Sequence, residues 1–382
     1  MSTASVFNTA DASAAAKAKT HDGAPAISIV MPAYNAQEYI AESIGAIAAQ
    51  TFGDFELIVV DDGSADATGE VVKSLAARDS RIEYIRQENS GAAVARNSGM
   101  LNAKGKYLAF LDADDLFEPK YLETLHAACE ESGAQIAVCK YDFFDSANGR
   151  AFPAICPQEG RSGLVATDDV ASTLFQITTS YTWDKLFRRD FVEERQLQFQ
   201  NLPNSNDVFF VLSALAMSDS ICFVDEVLVH YRVGTGGSTQ DKFVKNPSNA
   251  ARAFDTLRES LAQKGVLTPE KEDSLNERCL SDFFATLTKT APRNIDAARK
   301  VYDLITGEYF TKWGLRSYPL EKVQSRKTKL QLWSFQRASR DQFLKPYANR
   351  ASIEEQTSLT QALFAFSLVK AGLFGRKGGG SA

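Results

Sequence analysis

Paired cysteines are what this sequence most visibly lacks. Its five, Cys129, Cys139, Cys156, Cys222 and Cys279, are odd in number and widely spaced, with no CxxC pair. That excludes a disulfide scaffold or zinc cluster and fits a reducing cytoplasm. No apolar run approaches the roughly 20 residues needed to cross a bilayer, and the Ala-, Ser- and Thr-rich start lacks the basic head and apolar stretch of a signal peptide. Residues 1–25 therefore read as a disordered leader, and the protein as cytoplasmic, either free or peripheral at the inner face of the cell membrane. An excess of basic charge is missing too: 42 Lys and Arg stand against 48 Asp and Glu, which gives nucleic acid no general hold. Internal repeats are absent. A length of 382 residues suits one large catalytic unit with an appended module.

What is present begins at Ile27. Ile27–Met31, Glu56–Val60, Ile82–Arg86, Tyr107–Leu111 and Gln135–Cys139 read as strands. Between them Ala36–Gln50, with Asn35 available as N-cap, Ala67–Ala77 and Ala92–Ala103 carry helical spacing. Repeated β-α-β order implies an α/β fold, a mostly parallel sheet flanked by helices, whose ligands bind at the carboxyl ends of the strands. The stretch Gly149–Gly163 reads as a loop between a nucleotide-sugar half, 26–130, and an acceptor half, 131–240. Beyond it come a helix over Ala166–Gln176, the Trp183-Asp184-Lys185-Leu186-Phe187 segment, a helix over Asp207–Met217, a strand over Cys222–Tyr231 and a glycine loop over Gly234–Ser238. Residues 246–382 lack strand signals and read as a C-terminal helical module. Its basic stretch Arg293–Arg350 and short apolar helix Leu359–Phe374 suit either a packed helical cap or contact with an anionic lipid surface.

The strongest chemical signal is Asp112-Ala113-Asp114-Asp115, directly after the apolar strand ending at Leu111. Carboxylates spaced i, i+2 at a strand end can share one Mg²⁺ or Mn²⁺ and leave coordination positions for phosphate oxygens. An N-capping acidic turn is the plain alternative. Pro32-Ala33-Tyr34-Asn35 and Val60-Asp61-Asp62-Gly63-Ser64 follow the first two strands, so a parallel sheet brings all three turns to one crevice. There Tyr34 could stack on a base and Asp62 could accept the imide N–H of uracil.

The run SIVMPAYNAQEYIAESIGAIAAQTFGDFELIVVDDGSADAT, followed by NSGAAVARNSGMLNAKGKYLAFLDADD, closely resembles the family-two glycosyltransferases of the GT-A (Rossmann-like) fold. The likeness spans roughly Ile27–Tyr121 and continues weakly through WDKLF and HYR to about Ser238. It implies an inverting, metal-dependent transferase that moves a sugar from a UDP-sugar, or another nucleotide diphosphate sugar, to a hydroxyl. The acceptor would be a glycan, polyol-phosphate polymer or lipid-linked molecule of the cell surface. By this resemblance Pro32, Ala33, Tyr34, Asn35, Asp62, Arg96, Asn97, Asp112, Ala113, Arg232 and Ser238 bind the nucleotide sugar. Asp112 and Asp114, with His230, hold Mn²⁺ or Mg²⁺, and Trp183 walls the acceptor side. The base that deprotonates the acceptor is expected at Asp207, where Asn206 replaces the family's usual acidic neighbour and removes its repulsion.

Plainer readings accompany several of these residues. For Arg96 it is a helix pinned through a buried ion pair, for Trp183 a core position, for His230 a structural role and for Asp207 an N-cap. At the level of the whole chain, a nucleotidyltransferase is disfavoured because PAYN is neither glycine-rich nor basic. A nucleotide-sugar-binding scaffold that has lost catalysis remains the other alternative.

Overall fold

The computed structural model describes residues 23–154, 156–233, 248–292 and 294–348. Most of the expected leader, the glycine loop with Ser238, and the apolar stretch Leu359–Phe374 lie outside the described residues. The chain divides into two compact units, Met1–Ser238 and Thr239–Ala382.

In the first unit the strands are β1 Ile27–Ala33, β2 Phe55–Asp61, β3 Ile82–Arg86, β4 Tyr107–Phe110, β5 Leu116–Phe117, β6 Ile136–Asp145, β7 Arg150–Pro153, β8 Gly163–Ala166, β9 Lys185–Arg188 and β10 Ser220–Val233. They form one sheet in the order β3-β2-β1-β4-β9-β6-β10-β5, with β7 on β6 and β8 on β10. The helices are α1 Ile40–Ala48, α2 Thr68–Ala76, α3 Ala92–Asn102, α4 Tyr121–Ser132, α5 Arg189–Glu194 and α6 Asn206–Met217. β1 and β2 are near-continuous apolar runs because both faces of these parallel strands are covered. The parallel character belongs to β3-β2-β1-β4 and to the β6–β10 pair; β9 enters antiparallel between β4 and β6.

One register detail opens the site. β1 stays paired with β2 as far as Ala33 and Asp61, but its pairing with β4 stops at Val30 and Phe110. Pro32, with no N–H to give, thus sits where only one neighbouring strand remains. Beyond that point β1 and β4 part, at the place where strand order reverses, and such a crevice is where α/β sheets take ligands. Helix α3 packs close on the same strands: a Cβ on Gly99 would lie 2.4 Å from Val30 Cγ1.

Three local expectations need correction. Asn35 does not cap α1, which starts five residues later at Ile40 without a side-chain cap. Asn35 takes a left-handed φ of 49°, a region that asparagine enters more readily than most residues, and its side chain bonds across to the turn after β2. Part of the expected loop Gly149–Gly163 is strand, since Arg150–Pro153 pairs antiparallel with Asp142–Asp145. The expected helix Ala166–Gln176 shrinks to a 3₁₀ segment, Asp168–Thr173, broken by a non-helical Val170.

The second unit is helical. Its main helices are Asn249–Gln263, Pro269–Thr290, Ile295–Leu304, Arg326–Arg337 and Arg340–Ala348. Thr268, Asn294 and Ser325 each cap a helix through a side-chain oxygen, and Pro269 occupies the first turn, where an N–H is dispensable. Phe283, Phe284, Tyr302, Phe310, Phe335 and Phe343 form its aromatic core. No described helix is long and apolar enough to cross a membrane.

Candidate active site

The turns after β1 and β2 are stitched together before any ligand is considered. The backbone N–H of Asn35 donates to Ser64 Oγ at 3.0 Å, and Asn35 Oδ1 accepts from Ala65 N at 2.9 Å. Ala36 N donates to Thr68 Oγ1 at 2.8 Å. Asp61 is fully buried and accepts from Ser64 N, Tyr84 Oη and Arg86 Nη1. Burial alone would raise its pKa, but these donors lower it below the usual carboxylate range. Asp62 accepts from Gln87 Nε2, Ser90 N and Gly91 N, so its first task is to anchor the loop leading into α3. A carboxylate has about four acceptor positions, which leaves one for a base. Above these anchors Tyr34 stands 51% exposed, while Ala33 is buried and accepts from Asp62 N.

The DADD turn is short of positive charge. Asp112 accepts from Arg96 Nη2 at 2.6 Å. Asp114 is pushed up to about 6 by burial and by the charge of Asp112. Asp115 is completely buried; its Oδ1 accepts from Arg232 N at 2.9 Å, while its Oδ2 has no partner among the described residues. Burial, then Asp114 and Asp112, drive its pKa well up. Ala113 is buried between the carboxylates. A divalent cation would relieve this crowding, and Asp112 with Asp114 fits one held by two carboxylates and completed by phosphate and water oxygens. No group of three or more His, Cys, Asp or Glu suited to a metal occurs among the described residues.

His230, expected as a third ligand, is elsewhere engaged. Its Nδ1 meets Asp142 Oδ1 at 2.6 Å and its Nε2 meets Glu118 Oε1 at 2.8 Å, so both ring nitrogens are taken by carboxylates outside the DADD turn. Arg232, expected to clamp phosphate, is 5% exposed and held under the turn. It donates to Asp114 O, to Ser146 Oγ at 3.0 Å and to Glu42 Oε2 at 2.7 Å. A phosphate would have to compete with Glu42 for it.

Arg96 joins the turn to the start of α6. Besides Asp112, it donates from Nη1 to Asn206 Oδ1 at 2.9 Å, and its guanidinium lies over the Phe199 ring. Arg96 thus makes the ion pair of the pinning reading, with a partner whose side chain is 30% exposed. Asp207 follows Asn206 and is partly buried; burial raises its pKa, Arg96 opposes this, and Asp112 adds to it. The repulsion missing at position 206 is thus partly replaced from Asp112. Asn97, expected at the nucleotide, instead clamps Phe199 by donating to its carbonyl and accepting from its N–H, each at 2.9 Å.

Trp183 is a core residue rather than an acceptor wall. It is 2% exposed and packs against Tyr181 and Tyr231 at 4.7 and 5.5 Å, so its burial leaves no open ring face for a sugar. Glu42 and Ser146 are participants that sequence reasoning missed, while Ser64 and Asn206 were noted there without the partners they have here.

Part of the chain is similar in sequence, and the fold in structure, to known proteins. Residues 28–196 match the sequence model of Glycosyl transferase family 2. Glycosyltransferase GlyA of Streptococcus pneumoniae is 31% identical over 216 residues, covering 55% of this chain and 31% of GlyA. The uncharacterized glycosyltransferase EpsJ of Bacillus subtilis is 31% identical over 221 residues, covering 56% of this chain and 63% of EpsJ. The chain thus spans less than two-thirds of either relative. The fold is like that of S. aureus TarS 1-349 in complex with UDP-GlcNAc, with a TM-score of 0.63 at 19% identity over 84% of this chain and 90% of that one. The PAYN, VDDGS and DADD turns, gathered at the carboxyl edge of β1, β2 and β4, all lie inside the stretch that matches the Glycosyl transferase family 2 model.

Proposed function

We propose that this protein transfers a sugar from a nucleotide diphosphate donor, most suitably a UDP-sugar, to an acceptor hydroxyl with inversion. One observation carries the reading: Arg96 bonds both Asp112 and Asn206, so the carboxylate turn suited to a diphosphate and the helix start bearing a candidate base share one charged bridge. The acceptor oxygen attacks the anomeric carbon, the bond from that carbon to the diphosphate oxygen breaks, and the hydroxyl proton passes to Asp207. Burial and Asp112 raise the pKa of Asp207, which suits a base. Tyr34 supplies an exposed ring for the nucleobase, and Asp62 a remaining acceptor position for uracil. TarS, of the same fold, is crystallised with UDP-GlcNAc. Mn²⁺ or Mg²⁺ bound by Asp112 and Asp114 would supply charge neutralisation for the departing diphosphate.

Nucleotide release from a panel of nucleotide sugars with Mn²⁺ or Mg²⁺ tests the proposal. Asp114→Ala should lose both turnover and metal-dependent UDP affinity, whereas Asp207→Ala should lose turnover alone. Full activity in Asp207→Ala removes it as the base, and equal UDP affinity with and without EDTA removes the metal. Binding of a nucleotide sugar without release from any donor would instead favour the scaffold alternative.

For location we place the protein in the cytoplasm, a reading supported by its five buried, unpaired cysteines. Peripheral contact with the inner membrane face is supported by the helix Arg326–Arg337, with four basic and no acidic residues, on which Arg326, Lys327, Leu330 and Arg337 are exposed. Co-sedimentation with anionic vesicles that persists after Arg326→Glu and Lys327→Glu would dismiss that contact.

A further inference from the structure

A cleft of about 440 Å³ lies along β6 and β7, lined by Lys140, Asp142, Phe152, Pro153, Glu159 and Val227 among others. Its size falls within the roughly 300–1,000 Å³ of small-molecule sites. Phe152 is the feature that gives it a chemistry. One face of its ring is stacked on Phe143 at 5.2 Å, yet Phe152 remains 44% exposed, so an aromatic surface is presented at the cleft. Behind it Phe143 meets Tyr231 at 6.1 Å, and Tyr231 stacks on Trp183. The next residue after Tyr231 is Arg232, which holds the DADD turn. The cleft and the proposed transfer site are thus connected through one packed aromatic row.

The cleft's polar groups are of a kind that hydroxyls can bridge, and their charge balance discriminates among acceptors. Lys140 Nζ lies 2.9 Å from Asp225 and 3.6 Å from Glu159, while Asp142 is paired with His230. Even with His230 protonated, carboxylates outnumber cations around the cleft, so a phosphate or uronate is repelled. A neutral sugar ring suits both features: its C–H face lies on Phe152, and its hydroxyls reach Asp142, Glu159 and Lys140.

We propose that this cleft is a subsite for the acceptor, and that it takes a neutral glycan rather than a polyol-phosphate polymer. This rests on the transfer reading above and adds the substrate class. Saturation-transfer NMR on the full chain tests it, with lactose, cellobiose and chitobiose as neutral probes and a glycerol-phosphate trimer as the anionic one. At least one disaccharide should take up saturation on the C–H protons of one ring face. Phe152→Ala should weaken that binding about fivefold, the scale of one aromatic contact, and Phe152→Trp should restore it, with thermal unfolding unchanged in both. Absence of saturation on every disaccharide overturns the proposal, as does a signal undiminished in Phe152→Ala or equal binding of the phosphate trimer. None of these readouts needs turnover. Intact saccharide binding with no nucleotide release from any donor would therefore strike the transfer reading alone, and UDP affinity should be the same in Phe152→Ala as in the unaltered protein.

Discussion

Arg96 on α3 donates to Asn206, the first residue of α6, at 2.9 Å across 110 positions of the chain. The same guanidinium reaches Asp112 at 2.6 Å, so two elements remote in sequence are set in fixed register by one planar, forked cation. Arg96→Ala removes both bonds and leaves Asp112 without its cation. Each bond to a charged group is worth roughly 1.5–3 kcal/mol when buried, and a displaced catalytic group costs on the order of 10²-fold in rate. We expect kcat/KM to fall on that scale, with a measurable loss in urea midpoint. Arg96→Lys should recover only part of either, because an ammonium cannot fork. Activity unchanged in Arg96→Ala would show that the bridge is incidental.

Asn206→Asp places a second carboxylate on Arg96, beside Asp207. The added negative charge shares the cation that now moderates the raised pKa of Asp207, so that pKa should climb further. A base works only when deprotonated, and activity therefore falls as pH drops through its pKa. The acid limb of the kcat/KM profile should move to higher pH in Asn206→Asp while the alkaline limb stays put. A limb that does not move, or moves to lower pH, would assign the titration to another group.

The strand ends and their turns were legible because they are local. β1, β2, β3 and β4 are short apolar runs followed by Pro, Asn, Asp and Gly, and these patterns survive folding. What escaped were partnerships made at a distance. Nothing in the sequence couples Arg232 to Glu42 or Asn97 to Phe199, and each of those contacts redirects a residue expected at the ligand. Trp183 escaped for a related reason: an indole in a motif reads the same whether its neighbours are solvent or Tyr181 and Tyr231. β7 was hidden by its own exposure, since a four-residue edge strand with every residue exposed carries no apolar alternation.

The WDKLF segment contains a fully buried ion pair, Asp184 and Lys185, 2.7 Å apart with neither side chain exposed. Lys185 also donates to the carbonyls of Thr179 and Tyr181, and Asp184 accepts from Thr179 Oγ1. Asp184→Ala leaves a buried ammonium short of its counter-charge, which costs about 3–5 kcal/mol. The double change Asp184→Leu with Lys185→Met should recover much of that, because no charge remains to be buried. Urea unfolding of the three proteins decides the matter. A double variant as unstable as the single one would mean that the pair is required for its hydrogen bonds to the 179–181 backbone rather than for charge compensation.

His230 ties β10 to β6 and to the residue after β5 through carboxylates on both of its nitrogens, Asp142 at 2.6 Å and Glu118 at 2.8 Å. Burial by itself favours the neutral ring, but bonding to the two acids outweighs it and raises the pKa. A folded-state pKa above the unfolded value of about 6.5 means that protonation favours the folded state. The stabilisation is fully present below that value and is lost as pH rises through the higher folded one. Glu118 is about half exposed, so solvent screens its share, and we expect His230→Gln to cost roughly 1–2 kcal/mol on the acid side. The difference in unfolding free energy between the two proteins should then narrow as pH is raised toward the alkaline range. A gap that is constant with pH would show that the ring contributes by shape and neutral hydrogen bonding, and a gap that widens would reverse the sign of the linkage.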